Sequence, residues 1–308
     1  MKRLFSMFFA LTFVLVLAAC SSQGEESEDN SSADSEDSSS ETVTYESESG
    51  PVEIPKNPKR IAALTYGPNV LSLDGDLVGV DQWSKANPLF TEDLADVTQI
   101  TEEDPESVLA VEPDLIIAGT NMQNLEELEK IAPTVVFTWG ELDYLEQQIE
   151  IGKILGKEDE AREWAEDFES RASQIGKEIK EKHGEDVTVT MFETNGTNFY
   201  IFGEAWGRGT EILFQAMDLN MPENVEEAVS EEGYHEISQE VLSEYAGDYI
   251  VLSRGEDTDM SFTEDEVWQS IPAVKEGRVI EIDTAKTSYS DPTTLEYLLE
   301  IYAEELNK

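Results

Sequence analysis

The chain has 308 residues, of which 68 are Asp or Glu and 20 are Lys or Arg, so its formal charge is −48. Proteins that bind nucleic acids or anionic membrane surfaces do so through clustered basic residues. This charge therefore excludes nucleic acid and anionic lipid as direct ligands. With 39% hydrophobic residues, the chain can form one or two domains with sizeable cores.

The N-terminus has the pattern of a secretory signal. A basic start, Met1 to Arg3, precedes an apolar run over 4–19 that ends in small residues before Cys20. The run is too short for a membrane span, so residues 1–19 are predicted to be a signal peptide. Leu-Ala-Ala-Cys at 17–20 resembles a bacterial lipobox, in which the cysteine is acylated. An ordinary signal peptide with an incidental cysteine is the alternative, and a single cysteine excludes an intramolecular disulfide.

The next segment is acidic and almost free of apolar residues. Residues 21–50 contain ten acidic residues and no Lys or Arg. Such a segment buries too little apolar surface to offset its ordering entropy, so residues 20–50 are predicted to form a lipidated cysteine followed by a disordered tether. The remaining residues, 51–308, still carry a formal charge of −40, so the acidity belongs to the folded part.

The region 51–142 alternates strand and helix patterns. An Asp-Pro-Glu sequence at 104–106 predicts a helix start, with Asp104 as its side-chain cap and Pro105 at the first helical position. Alternation of this kind indicates a mainly parallel sheet with helices on its faces, here an N-terminal α/β lobe. The predicted strands are residues 60–66, 77–83, 115–119 and 133–139.

Residues 143–183 have helical apolar spacing and many charges, without a run typical of a strand. They predict a long connector helix, with Gly156 as a possible point of interruption. Strand patterns at 187–192 and 198–203 then begin a second α/β lobe, residues 184–308. The predicted fold class is thus α/β, with two α/β lobes joined by a single long backbone helix.

An internal similarity supports two lobes. The segment from Asp104 to Asp114 and the strand after it can be laid over the segment from Ser238 to Asp248. Glu106 and Glu240 then fall at the same offset, on the first turn of each helix. Each glutamate can complement a helix N-terminus, an effect worth about 0.3 to 1 kcal/mol. The similarity predicts two lobes of like fold with a cleft between them.

The motifs of common enzymes are missing. The sequence has no G-x-S-x-G elbow, phosphate-binding P-loop, H-E-x-x-H or C-x-x-C motif, and only two histidines. A lipid-anchored hydrolase is therefore disfavoured, and among the 68 acidic residues nothing singles out a carboxylate pair for glycoside chemistry. We predict a protein that is not an enzyme and has neither a cofactor nor a metal site of its own.

The turn Trp206-Gly207-Arg208-Gly209 follows a predicted strand, and ligands of open α/β sheets bind at the carboxyl ends of strands. Tryptophan offers a rigid apolar surface, and arginine offers a planar fork of donors for ligand oxygens. The alternative is a tryptophan packed on its own lobe and an arginine neutralised by Glu204 or Glu211. The residues alone leave both interpretations open.

The chain resembles siderophore-binding lipoproteins of ABC importers, in particular the iron(III)-hydroxamate-binding lipoproteins of Gram-positive bacteria. The resemblance extends over about residues 52–306. The motifs that carry it are the lipobox, Pro-Lys-Asn-Pro-Lys-Arg-Ile-Ala at 55–62, the segment 104–117, the charged helix, Trp-Gly-Arg-Gly at 206–209, the segment 245–253 and Ser-Asp-Pro at 290–292.

The resemblance implies a fold similar to class III periplasmic binding proteins, with a ferric siderophore in a shallow aromatic cleft between the lobes. It implies that Trp206, Arg208 and Tyr200 contact the ligand, with Arg208 donating to the iron-coordinating oxygens. It also implies that Glu106 and Glu240 dock onto arginines of the permease. Iron is then bound only through the siderophore.

The chain departs from this pattern at Ser288, where the hydroxamate binders have an aromatic residue, although Tyr289 follows. From the first lobe, Tyr66, Trp83 and Trp139 lie near predicted strand ends and are candidates for the opposite wall, with core packing as the alternative for each. Trp164 and Trp268 are assigned to packing.

Charge favours a hydroxamate ligand, because ferric catecholates are strongly anionic and need several cationic side chains, whereas ferric hydroxamates are neutral or cationic. The cations predicted near the cleft are Arg208, Lys85 and Lys286. A catecholate siderophore, cobalamin or haem on the same fold remains an alternative.

The expected partners are a ferric siderophore, an ABC permease with its ATPase, and a membrane lipid anchor on the extracellular face. The expected state is a monomer, and the acidic surface suggests a salt-loving or alkaliphilic host.

Overall fold

A computed structural model of the chain describes residues 41–308. The signal peptide, Cys20 and residues 21–40 of the tether lie outside the described residues. The described part begins with an antiparallel hairpin of strands β1, Thr42–Ser47, and β2, Gly50–Pro55. The prediction of a disordered tether as far as residue 50 is therefore wrong over its last residues. The hairpin is ordered because Tyr45, Val52 and Ile54 pack against the core of the first lobe.

The first lobe is a parallel five-stranded sheet with the strand order β5-β4-β3-β6-β7. Apolar residues bury both faces of the sheet, as is typical of parallel sheets. The strands are β3 Ile61–Ala63, β4 Leu77–Val80, β5 Thr98–Gln99, β6 Leu115–Gly119 and β7 Thr134–Phe137. The helices are α1 Gly67–Leu71, α2 Gln82–Ala86, a 3-10 turn Pro88–Phe90, α3 Pro105–Ala110 and α4 Leu125–Leu128.

The hairpin covers the free edge of β7 through side chains. Ser47 Oγ accepts a hydrogen bond from the Val136 N–H at 3.1 Å, and the Glu48 carboxylate accepts one from the Thr138 N–H at 2.8 Å. An edge strand presents unpaired backbone groups that need such partners. The residues just before Trp139 are thus held by Ser47 and Glu48, which belong to the predicted tether.

The connector consists of α5, Tyr144–Leu155, and α6, Glu158–His183. The helical path is interrupted at Gly156, which has a φ of +68°. Ile151 and Ile154 of α5 pack in the first lobe, whereas α6 runs from Ala161 in that core to Ile179 in the other. The prediction of one helix over 143–183 is therefore wrong in its length. The 26 residues of α6 span about 39 Å. Within residues 41–308, this helix is the single covalent connection between the lobes.

The second lobe has a five-stranded sheet with the order β10-β9-β8-β11-β12. Strands β8, β11 and β12 are parallel, and β9 and β10 add an antiparallel edge. The strands are β8 Val189–Thr194, β9 Phe199–Phe202, β10 Tyr234–Ile237, β11 Tyr249–Arg254 and β12 Val279–Asp283. The two lobes and α6 confirm the predicted fold class.

Helices and helical turns surround this sheet. The first is a π-helical turn directly after the Trp206–Gly209 segment, and the last is the long C-terminal helix. They are the π turn Glu211–Ala216, α7 Glu223–Val229, the 3-10 turns Gln239–Val241 and Ser261–Glu264, α8 Leu242–Tyr245, α9 Glu266–Ser270, α10 Pro272–Lys275, α11 Thr284–Thr287 and α12 Pro292–Glu305.

The internal similarity corresponds to equivalent interactions. Asp114 accepts hydrogen bonds from the Lys59 and Arg60 N–H groups at 2.8 and 2.9 Å, directly before β3. Asp248 accepts one from the Thr188 N–H at 2.9 Å, directly before β8. Each aspartate therefore fixes the start of the neighbouring strand. The expected side-chain cap is wrong, however, because neither Asp104 nor Ser238 makes a capping hydrogen bond.

Among the helices of the described residues, none is long and apolar enough to cross a membrane.

Candidate functional site

The Trp206–Gly209 turn has an unusual backbone. Gly207, Arg208 and Gly209 have φ angles of +69°, +56° and +77°. A Cβ atom on Gly207 would overlap the Ser288 carbonyl oxygen, and one on Gly209 would lie 2.7 Å from the Tyr302 ring. Glycine is thus required on both sides of Arg208. The Arg208 backbone is held by its N–H, which donates to Thr287 O at 2.7 Å, and by its carbonyl, which accepts from the Tyr302 hydroxyl.

The Arg208 guanidinium forms a bidentate ion pair with Glu193. Nε and Nη2 donate to the two carboxylate oxygens at 2.7 and 2.9 Å, and Nη1 donates to Trp206 O at 2.8 Å. The carbon between these nitrogens lies 4.8 Å from the centre of the Phe202 ring. A guanidinium has five N–H donors. One on Nη1 and one on Nη2 are thus left without a partner among the described residues.

The partner of Arg208 is neither Glu204 nor Glu211, as the alternative interpretation expected, but Glu193 of β8. Glu193 pairs with Tyr200 of β9 and with Ser253 of β11 in the sheet, so these side chains share one face. Ser253 Oγ donates to Glu193 Oε2 at 3.0 Å. The Ser253 hydroxyl therefore helps to orient the carboxylate that pairs with the arginine.

An aromatic row follows the same face. Tyr200 and Phe202 alternate with residues buried on the other side of β9, and their ring centres are 6.5 Å apart. Phe202 lies 6.2 Å from Trp206, which lies 4.8 Å from Tyr234. The row offers a largely apolar wall beside the free donors of Arg208.

The first lobe contributes a tryptophan to this row. Trp139, directly after β7, meets Trp206 edge to face with a centroid distance of 5.4 Å, yet 70% of it is exposed. Trp83 is 64% exposed and lines a depression of about 380 Å³ with Leu64, Asp81 and Met122 at the carboxyl end of the sheet. Core packing, the alternative for these two residues, is wrong. Tyr66 differs, because its half-buried ring packs on Phe137 at 5.6 Å.

The segment around Ser288 and Tyr289 borders the turn from the other side. Ser288 Oγ donates back to Thr284 O at 2.7 Å, so the hydroxyl is used within the segment. Tyr289 is 39% exposed. Desolvation, helped by Asp81 of the first lobe, raises the pKa of Tyr289 to about 12, so its phenol is neutral at physiological pH. Of this pair, Tyr289 is the side chain available to a ligand.

The other cations predicted near the cleft are engaged. The Lys85 ammonium donates to three backbone carbonyls, those of Leu94, Ala95 and Val97. Lys286 lies 3.8 Å from Asp283. Arg208 and Lys286 thus have carboxylate partners, and the Lys85 ammonium, which keeps its charge, is taken up by backbone carbonyls within the described residues.

Glu106 and Glu240 lie on the surface of their lobes, at the first turn of α3 and of the 3-10 turn after Ser238. Within the described residues neither forms an ion pair. Leu109, one turn after Glu106, is 56% exposed. In contrast, Trp164 and Trp268 pack in the cores, as predicted. Residues 41–308 contain no cluster of His, Cys, Asp and Glu suited to a metal ion.

The chain also matches known proteins. Residues 68–285 match the periplasmic binding protein family. The chain belongs to this family. It is 35% identical to the iron(3+)-hydroxamate-binding protein FhuD of Bacillus subtilis, over 100% of this chain and 98% of that protein. A second B. subtilis iron(3+)-hydroxamate-binding protein, YxeB, is 31% identical over 100% of this chain and 97% of its own length.

A solved structure of FhuD2 from Staphylococcus aureus with bound ferrioxamine B superimposes with a TM-score of 0.76 at 35% identity. It covers 81% of this chain and 98% of that one. The fold and the predicted resemblance to hydroxamate-binding proteins are confirmed.

Sequence reasoning missed two acids of the site. Glu193 reaches Arg208 through strand register, which a linear pattern does not reveal, although a charged residue in the apolar strand β8 was a signal. Glu48 lies in the segment assigned to the tether, and it holds the residue before Trp139.

Proposed function

We propose that the protein captures a ferric hydroxamate siderophore in the cleft between its lobes and delivers it to an ABC permease for iron uptake. The observation that carries this proposal is the Arg208 fork. It is held in place by Glu193 and, within residues 41–308, retains two N–H donors without a partner beside an aromatic row. Such donors suit the hydroxamate oxygens around the iron, which carry partial negative charge. The aromatic rings suit the apolar chains between the hydroxamates.

Charge supports a hydroxamate over a catecholate. A ferric catecholate carries several negative charges that a binding site must neutralise. Here Arg208 already has a carboxylate partner, and Lys85 and Lys286 are occupied. A neutral or cationic ferric hydroxamate needs no further cations. The names of two relatives and the ferrioxamine B bound to a third agree with this choice.

A titration tests the proposal. Ferrioxamine-type and ferrichrome-type complexes are expected to quench the tryptophan fluorescence of the mature protein at submicromolar concentration. Cobalamin and haem are the alternative ligands for a binding protein of this fold. Binding of either would be recognised by its visible absorption. Tight binding of a ferric catecholate without any response to ferric hydroxamates would contradict the proposal.

The proposal includes where the protein acts. Acylated Cys20 would hold the folded lobes at the extracellular face of the cell membrane, as a monomer that meets a permease and its ATPase. Glu106 and Glu240, which are exposed, would dock onto basic residues of the permease, one from each lobe. Membrane fractionation of the wild type and Cys20→Ala tests the anchor, and loss of membrane association by the variant is expected.

We propose no enzymatic activity. The family is one of binding proteins, and His183 lies against Leu306 O and the Tyr249 hydroxyl rather than in the cleft. Turnover of a broad panel of ester and phosphate substrates would overturn this part of the proposal.

A further inference from the structure

A buried carboxylate, that of Glu211, lies beneath the Trp206–Gly209 turn. Glu211 is 4% exposed, although it begins the π turn directly after the Trp206–Gly209 segment. A buried carboxylate is costly unless hydrogen bonds compensate it. The hydrogen-bond partners of Glu211 therefore indicate the role of its buried carboxylate.

One oxygen of Glu211 joins two separate segments of the second lobe. Oε1 accepts the Gly207 N–H at 2.9 Å and the Ser290 hydroxyl at 2.8 Å. Gly207 lies between Trp206 and Arg208, and Ser290 directly follows Tyr289. The segments are also in close contact at Gly207 and the Ser288 carbonyl. Glu211 thus connects the turn that contains Trp206 and Arg208 to the segment that contains Tyr289.

The other oxygen lies beside the hydroxyl that holds the turn. Glu211 Oε2 lies 3.4 Å from Thr210 Oγ1, which accepts the Trp206 N–H at 2.9 Å and donates to Gly207 O at 3.0 Å. The remaining titratable groups that face Glu211 are the phenols of Tyr302 and Tyr144, whose pKa values burial raises and the Glu211 charge raises further. Both phenols are neutral at physiological pH, and no Lys or Arg of residues 41–308 forms an ion pair with Glu211.

We infer that Glu211 is a positioning residue for ligand binding, which sets the spacing between the Trp206–Gly209 turn and the Ser288–Asp291 segment through Gly207 and Ser290. The inference rests on the proposed function, because it assigns Glu211 to the same cleft. Its side chain does not touch the ligand. It acts by holding Trp206, Arg208 and Tyr289 at one separation, as a rigid siderophore complex requires.

Three variants of the mature protein test this inference. Glu211→Met fills the same space without a carboxylate oxygen, and we expect it to weaken ferric hydroxamate binding about tenfold. Glu211→Gln keeps an acceptor oxygen and is expected to stay within about threefold of the wild type. Ser290→Ala removes one arm of the connection and should weaken binding about fivefold while its melting temperature stays near that of Ser270→Ala, an exposed control.

Hydrogen exchange of the Gly207 amide provides a readout that needs no ligand. Exchange should be faster in Glu211→Met than in the wild type and near normal in Glu211→Gln. If the wild type binds no ferric hydroxamate, the proposed function fails, and the exchange data still decide the structural connection. If the wild type binds but Ser290→Ala and Glu211→Met retain its affinity, the inference is overturned. Should Glu211→Met fail to fold, Ser290→Ala alone decides.

Discussion

Trp139 and Trp206 belong to different lobes, yet their indole rings meet edge to face across the cleft, 5.4 Å apart. Trp206 is supported from behind by Phe202 and Tyr234, and Gly233 lies against its indole nitrogen. In the described part of the chain, Trp139 packs on no aromatic ring besides Trp206 and remains 70% exposed. The second lobe therefore supplies a packed aromatic surface, and the first lobe supplies an exposed ring that meets it.

This difference predicts unequal effects of substitution. Trp206→Ala should weaken ferric hydroxamate binding about tenfold or more, because it removes the packed surface, whereas Trp139→Ala should cost about threefold to fivefold. Both variants should lose part of the fluorescence quenching. Trp164→Phe is the control, because Trp164 packs on Phe168 of the connector, outside the cleft. Equal quenching in all variants would contradict the assignment of either tryptophan to the cleft.

The Glu193–Arg208 pair predicts a change in ligand preference. Arg208→Ala should weaken ferric hydroxamate binding about tenfold or more, because the oxygen donors are lost. Glu193→Gln leaves the arginine in place but makes the cleft more positive. We expect it to weaken hydroxamate binding about fivefold and to strengthen binding of an anionic ferric catecholate. Parallel titrations with both ligand types measure this. The control is Glu204→Gln, an exposed acid near the turn, and weaker binding of both ligands by Glu193→Gln would oppose the prediction.

The lobes and their strands were predictable because buried apolar runs mark them directly. Leu115–Gly119 is buried at every residue, and the repeated aspartates Asp114 and Asp248 perform equivalent tasks. The hairpin was not predicted, because its acidic composition concealed a short alternating pattern. In that pattern Tyr45, Val52 and Ile54 supply enough apolar burial to order it.

The site was only partly predictable from the sequence. The Trp-Gly-Arg-Gly motif indicated Trp206 and Arg208, and the need for glycine at Gly207 and Gly209 explains the motif. In contrast, the partner of Arg208 depends on which residues face each other across three strands. Exposure also distinguishes Trp139 from the half-buried Tyr66, although both follow strands. Neither register nor exposure can be read from the order of residues alone.

The buried Glu211 predicts a specific pH dependence of stability. Burial raises the pKa of Glu211 above its ordinary value of 4.5, so the folded state binds this proton more tightly than the unfolded state. The corresponding stability is present in full below the unfolded pKa and is lost as pH rises through the folded pKa. Glu211→Gln lacks this titration. Its melting temperature, relative to the wild type, should therefore increase from about pH 4 to about pH 8. A constant or decreasing difference would show that Glu211 does not titrate in this way.

The exposed glutamates predict a separation of binding from transport. Glu106→Ala and Glu240→Ala should leave siderophore affinity unchanged, because both residues are exposed and lie in neither the aromatic row nor the Arg208 network. The double variant should lower iron uptake by cells about tenfold, through weaker docking on the permease. Glu223→Ala, another exposed acid at a helix start, is the control. If the variants lose thermal stability but not iron uptake, the two glutamates only stabilise the N-termini of their helices and do not dock onto the permease.

The acidic surface predicts that salt stabilises the folded lobes. Residues 51–308 carry a charge of −40, and many of their basic residues already have acidic partners, such as Arg171 with Asp167 and Glu296. The remaining carboxylates repel one another in the compact state more than in the expanded chain. The screening length falls from about 10 Å at 0.1 M salt to about 3 Å at 1 M, so this repulsion should largely disappear.

The melting temperature of the soluble domain should therefore rise as NaCl increases from about 0.1 to about 1 M and then level off, because screening saturates. Sucrose is the control, since it stabilises by exclusion from the protein surface without screening charge. A melting temperature that keeps rising linearly with NaCl, and that rises as much with sucrose at equal osmolality, would attribute the stabilisation to solute exclusion from the protein surface. A flat melting temperature would mean that the carboxylates are too far apart to repel, and the charge would then carry no information about the salinity of the host.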